Sequence, residues 1–159
     1  SGVLYTVPSL AFFAIMIPYT GLGATTATVA LALYSLLAII RNTVAGIDDV
    51  PRATLDAARG MGMSGRQRLF LVELPLAIPV IFAGIRVATV SAIGIAVIAA
   101  VIGAGGLGRL VFDGLQRLDP DQVLAGAIMA KLLALVSDWG LKRLGEALRR
   151  DAAPAAERG

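Results

Sequence analysis

Four stretches of the chain are apolar around the whole helical circumference, and the polar positions collect between them. A bilayer hydrocarbon core about 30 Å thick needs roughly 20 helical residues to cross. The first stretch, 3–21, is free of charge and contains Pro8 and Pro18; the second, 24–40, is also charge-free and ends at Arg41. Only Leu22 and Gly23 separate them, which predicts a tight hairpin. The third, 76–102, carries one charge at Arg86, and the fourth, 123–141, carries Lys131 and Asp138. A water-soluble bundle would back each apolar stripe with a charged face, and 24–40 and 87–102 have none. The expected fold class is all-α: a polytopic membrane helix bundle with about four transmembrane spans.

Composition agrees with the pattern and narrows the chemistry. Of 159 residues 57% are hydrophobic and 16% charged, with mean hydropathy +0.81, against about 25% charged in soluble domains. There is no Cys and no His, so thiolate nucleophiles, disulfides, imidazole bases and the usual zinc sites are excluded. No metal site and no cofactor is expected. Fourteen basic residues are interleaved with eleven acidic ones and form no phosphate-binding stripe, so nucleic acid is not an expected partner.

The basic residues instead report topology, because Lys and Arg accumulate on the cytoplasmic side of a membrane. Residues 41–75 hold Arg41, Arg52, Arg59, Arg66 and Arg68, and the chain after the fourth span holds Lys142, Arg143, Arg149, Arg150 and Arg158. Residues 103–122 hold only Arg109 and Arg117. The loop 41–75 and both termini are therefore expected in the cytoplasm of a multi-pass membrane protein. The predicted organisation is a transmembrane domain over 1–145 and a disordered, Ala- and charge-rich cytoplasmic tail over 146–159. The opening Ser1-Gly2-Val3-Leu4 has no initiator Met, and an N-terminally truncated chain is expected.

The loop has an organisation of its own. Pro51 suits a first helical turn, with Asp48 or Asp49 as its N-cap, predicting a helix over 51–61. Gly60, Gly62 and Gly65 follow, and a second helical segment over 64–74 leads to Pro75. Arg52, Asp56 and Arg59 fall on one ridge at i, i+4, i+7, while Leu55, Ala58 and Met61 project elsewhere. Ala57, Ala58, Gly60 and Gly62 leave little side-chain relief, which permits close docking of another protein.

Asp56-Ala57-Ala58, then Gly62, then Val72-Glu73-Leu74-Pro75 resembles the cytoplasmic EAA loop of the membrane permeases of ABC importers, E-A-A, three residues, G, nine residues, I-x-L-P. Asp56 stands where that family has Glu, and Val72 where it has Ile. Thr6-Val7-Pro8-Ser9-Leu10-Ala11, Arg41-Asn42-Thr43, Ala57-Ala58-Arg59-Gly60-Met61-Gly62-Met63, Ala83-Gly84-Ile85-Arg86 and Gly103-Ala104-Gly105-Gly106-Leu107-Gly108 resemble the osmoprotectant branch, which imports glycine betaine, choline or carnitine. Members of that branch carry further N-terminal membrane sequence.

The resemblance implies a permease subunit of an ATP-driven importer, with the loop 48–74 coupling to the ATPase. The implied coupling residues are Asp56, Ala57, Ala58, Gly60, Met61 and Gly62, with Pro75 setting the bend into the membrane. Implied partners are an ABC ATPase subunit, a second permease subunit (the same chain or a related one), an external substrate-binding protein and the lipid bilayer. The chain itself is not expected to be an enzyme: Lys occurs only at 131 and 142, and a phosphate-binding P-loop requires G-x-x-x-x-G-K-[ST]. A permease for another solute, such as methionine or an alkyl sulfonate, or a secondary transporter or channel, is the alternative. No substrate-binding residue follows from the pattern.

Gly103, Gly105 and Gly108 also fit G-x-G-x-x-G, but a dinucleotide fold needs a short strand before it. The preceding apolar run is too long for one, and the glycines are read as a bend that starts a short helix over 107–118. Pro8 interrupts the first span, with Thr6 and Ser9 near the freed carbonyls. Arg86, about 16 Å along the third span from Pro75, either snorkels or meets a polar interface. Lys131 and Asp138, seven residues apart, share a helix face, where partnering at a bundle interface or a transport role is expected. The aromatics Tyr5, Phe12, Phe13, Tyr19 and Tyr34 are expected as lipid, interface or packing residues.

Overall fold

A computed structural model describes residues 9–152. Thr6, Pro8, Tyr5 and the tail after Ala152 lie outside the described residues. The elements are α1 (Ser9–Thr20), α2 (Ala24–Asp48), α3 (Arg52–Gly60), α4 (Gly65–Arg68), a π-helical turn Leu69–Glu73, α5 (Leu74–Ile98), a 3₁₀ turn Ala99–Ile102, α6 (Leu107–Arg117) and α7 (Pro120–Ala152). Among the described residues there is no strand. The fold is all-α.

Among the described residues, three helical stretches are long and apolar enough to cross a membrane: Ala24–Asp48, Gly65–Ile102 and Pro120–Ala147. The fourth, expected over 3–21, is represented by the 12 residues of α1. Residues 146–152, expected as the start of a disordered tail, continue α7.

The chain divides into two compact units, 1–36 with 88–137, and 37–87 with 138–159. In the first, Phe13, Ala27, Ala30, Ala99 and Ile102 form the buried core. The alanines allow backbones to approach around the one large ring, and Phe12 meets Tyr34 edge-on at 5.5 Å. At the α1–α2 hairpin, Gly21 and Gly23 take positive φ. There the Thr20 and Thr26 hydroxyls lie 2.6 Å apart and Thr26 donates to the Gly21 carbonyl. Those hydroxyls satisfy polar groups that the turn would otherwise leave open in an apolar setting.

The glycine run closes one helix and opens the next. Gly103 takes φ +81° as the cap of the 3₁₀ turn, and the amide of Ala104 donates to the carbonyl of Ala99 at 3.2 Å, the bonding that ends helices on a left-handed residue. α6 begins after Gly106. Gly108 is buried, and any Cβ there would fall on the carbonyl oxygen of Val97. A helix precedes this run, so the dinucleotide fingerprint is formal only. The Asp119 carboxylate then accepts from the amides of Asp121 and Gln122 at 3.1 and 3.2 Å, capping α7 with Pro120 at its first position.

In the second unit, α2 meets α5 at glycines. Gly84 leaves room only for Asn42, and Gly46 sits against Val80 and the Ala77 carbonyl. Two stretches that carry the family resemblance, Arg41-Asn42-Thr43 and Ala83-Gly84-Ile85-Arg86, thus touch each other. Gly145 of α7 likewise accepts the ring of Phe82.

The candidate coupling loop and a membrane-depth ion pair

α3 is short because its start and end are both marked. Pro51 occupies the N-cap position with no side-chain cap; Asp48 ends α2 and does not cap α3 as expected. The Met61 and Gly62 amides donate back to the carbonyls of Ala57 and Arg59, and that of Met63 to Ala58. Gly62, at φ +77°, takes the left-handed conformation that a Cβ disfavours. Ser64 then opens α4 with a capping box, its hydroxyl accepting from the Gln67 amide while the Gln67 side chain accepts from its own.

Within α3 the structure sorts the implied coupling residues into two sets. Asp56, Ala57, Gly60, Met61 and Gly62 are exposed, and Met61 is 70% exposed. Ala58 is buried at 1%, so its small side chain faces inward. Asp56 receives Arg59 at 2.9 Å, so the expected charged ridge is present.

Pro75 lies inside a helix and not between two. It lies in α5 and follows the π-helical turn directly, within one helical run from Gly65 to Ile102. Proline supplies no amide to the turn before it, and the turn ahead is widened, with the Leu74 amide reaching the Leu69 carbonyl five residues back. The widening brings Arg68 and Glu73 together at 2.6 Å, with Glu73 almost buried. In an ideal α-helix residues five apart point about 140° away from each other, so this pair depends on the π-helical turn. Sequence reasoning missed both; a helix-interior proline preceded by opposite charges five apart was the available signal.

Two ionisable residues of the spans meet at a polar contact between helices. Arg86 of α5 grips Asp138 of α7 as a fork, Nε to one carboxylate oxygen at 2.7 Å and a terminal nitrogen to the other at 2.8 Å. Such bidentate geometry is the strong form of a charge-assisted bond. Beside it lies a cavity of about 210 Å³ bordered by Phe82, Arg86, Lys142 and Glu146. Asp138 is therefore engaged by Arg86 and not by Lys131, which is exposed and forms no ion pair among the described residues. Arg143 stacks over the Trp139 ring at 5.0 Å, a contact suited to a helix end at a membrane interface. No cluster able to hold a metal occurs among the described residues.

Comparison with known families decides what this arrangement belongs to. The model of the inner membrane component of binding-protein-dependent transport systems matches residues 1–150. The chain belongs to that family. Among similar inner membrane components are the osmoprotectant import permease OsmW of Salmonella typhimurium, 50% identical over 89% of this chain and 68% of that one. The glycine betaine/carnitine/choline permease OpuCB of Bacillus subtilis is 45% identical over 88% and 64%, and the carnitine permease OpuCB of Listeria monocytogenes 47% over 90% and 66%. The chain spans about two thirds of the length of these relatives. Its fold resembles a chain of the inward-facing MetNI methionine ABC transporter, with TM-score 0.82 and 21% identity over 92% of this chain and 71% of that one.

Proposed function

We propose that this chain is the transmembrane permease subunit of an ATP-driven importer for a small osmoprotectant such as glycine betaine, choline or carnitine. It pairs with a second permease subunit, two ATPase subunits and an external substrate-binding protein, in the cell's inner membrane. The loop 48–74 and the C-terminal end face the cytoplasm, in keeping with their arginines. The names of the three relatives cited above, at 45–50% identity, support the solute class; the methionine likeness speaks for fold alone.

The observation that carries the coupling role is the exposed, nearly bare corner formed by Ala57, Gly60, Met61 and Gly62, next to the buried Ala58. One prominent thioether on a smooth base fits a cleft in a partner, and methionine adapts to such a cleft readily. ATP-driven closure of the ATPases moves this corner, and the continuous helix behind it carries the movement into the span. The ATPases supply the hydrolysis; the permease supplies the lever.

Reconstitution of the permease with its ATPase and binding protein in liposomes tests the reading. ATP-dependent uptake of at least one of the three labelled solutes is expected. Absence of uptake for all three, in a complex that still hydrolyses ATP, contradicts it.

A further inference from the structure

The cavity of about 210 Å³ beside the fork lies between α5 and α7, and two contacts fix its extent. At one end Arg86 holds Asp138. One turn back along α5, the Phe82 ring sits against Gly145, where any Cβ on α7 would press into it. Lys142 and Glu146 border the opening from α7. The space is smaller than the roughly 300–1,000 Å³ that take drug-sized ligands, so only a small molecule or one polar headgroup fits.

The charges around it are sorted along α7. Asp138, Lys142 and Glu146 recur every four residues and share one row of the helix. Arg86 neutralises Asp138, while the ion pairs among the described residues include neither Lys142 nor Glu146. Lys142 precedes Glu146, which is the weaker order for a direct pair four apart on a helix. The cavity therefore presents a cation nearer the fork and an anion nearer the aromatic ring. A simple anion on Lys142 would meet Glu146 as a like charge, and a simple cation on Glu146 would meet Lys142 in the same way. A molecule carrying both signs satisfies both, and side chains four apart leave about 5–6 Å between their Cβ atoms for it to bridge.

We propose that this cavity binds one small zwitterion, its carboxylate or phosphate on Lys142 and the guanidinium of Arg86, its ammonium on Glu146 and the Phe82 ring. The fork uses two of the five guanidinium donors, which leaves others for an anion. Aromatic rings attract alkylammonium groups, and the carboxylate of Glu146 adds to that attraction. Two sources carry this chemistry: a solute such as glycine betaine or carnitine, and the headgroup of a zwitterionic phospholipid. The choice of solute as a probe rests on the function proposed above; the site rests on its lining.

Binding to the permease–ATPase complex in phosphatidylglycerol nanodiscs tests it with two probes, labelled glycine betaine and added phosphatidylethanolamine. Lys142→Gln and Glu146→Gln are each expected to weaken the probe that occupies the cavity about tenfold, the effect of losing one hydrogen bond to a charged group. Arg143→Gln removes a cation stacked on Trp139 outside the cavity and should leave binding at the wild-type level. All three residues are exposed, so unfolding midpoints near wild type are expected and separate lost contacts from lost folding. Weakened glycine betaine binding identifies a solute site, and weakened retention of phosphatidylethanolamine in native mass spectra identifies a headgroup site; either supports the proposal. A wild-type complex that holds neither probe, variants that hold both as tightly as wild type, or an equal loss in Arg143→Gln overturns it. Those results leave uptake by the wild-type transporter untouched, so the importer reading stands or falls by its own assay.

Discussion

Arg86 and Asp138, 52 residues apart in sequence, meet through two parallel hydrogen bonds of 2.7 and 2.8 Å. The pair ties α5 to α7 on apolar helices, where an unpartnered charge is costly. Arg86→Ala and Asp138→Ala are each expected to lower the thermal unfolding midpoint of the detergent-solubilised chain by several degrees. The swapped pair, Arg86→Asp with Asp138→Arg, should recover part of that loss. Equal midpoints for all four proteins would show that the fork contributes nothing.

Close helix packing at glycine gives a second expectation. A Cβ at Gly84 would collide with the Asn42 side chain, and one at Gly108 with the Val97 carbonyl. Gly84→Ala and Gly108→Ala should each destabilise by about 1–3 kcal/mol, the range for forced overpacking. Gly140, in α7 with no atom near its added Cβ, should tolerate alanine and gain about 0.5–1 kcal/mol from reduced backbone freedom. Thermal unfolding of the three variants orders them.

The adjacent alanines of α3 separate docking from folding. Ala57 is exposed and Ala58 buried. Ala57→Glu should reduce solute uptake at least tenfold while leaving the unfolding midpoint near wild type, because only the outer surface changes. Ala58→Glu should lower both, since it forces a charge into a buried position. Uptake assays paired with thermal unfolding read the difference.

The Arg68–Glu73 pair predicts where the loop opens first. Glu73→Gln keeps the shape and removes the charge, and should weaken the turn by about 1–3 kcal/mol, the range for a hydrogen bond to a charged group. Amide hydrogen exchange should then accelerate over 65–75, with 107–117 unchanged. The same exchange over 65–75 in wild type and Glu73→Gln would deny the pair a stabilising role in the turn.

Much of this was legible in the sequence because apolar periodicity and glycine spacing act locally. The described parts of the charge-free runs became helices, the glycines at 103–108 a capped bend, and Pro120 a helix start. What escaped were relations that depend on neighbours. Asp138 shares a helix face with Lys131, yet the choice between Lys131 and Arg86 is made by which helix packs alongside. Ala58 looked like its neighbour Ala57 because residue type carries no record of which side faces inward. Pro75 signals a bend, but residue type alone does not show that the turn before it is π-helical and that the helix runs on through it.

Site-directed crosslinking at Met61 tests the central claim most directly. In a permease whose sole thiol is Met61→Cys, a short thiol-to-amine crosslinker applied to the assembled complex should join residue 61 to the ATPase subunit, in a yield that changes on ATP binding. A thiol that is labelled only from outside the cell, with no crosslink to the ATPase, would contradict the account.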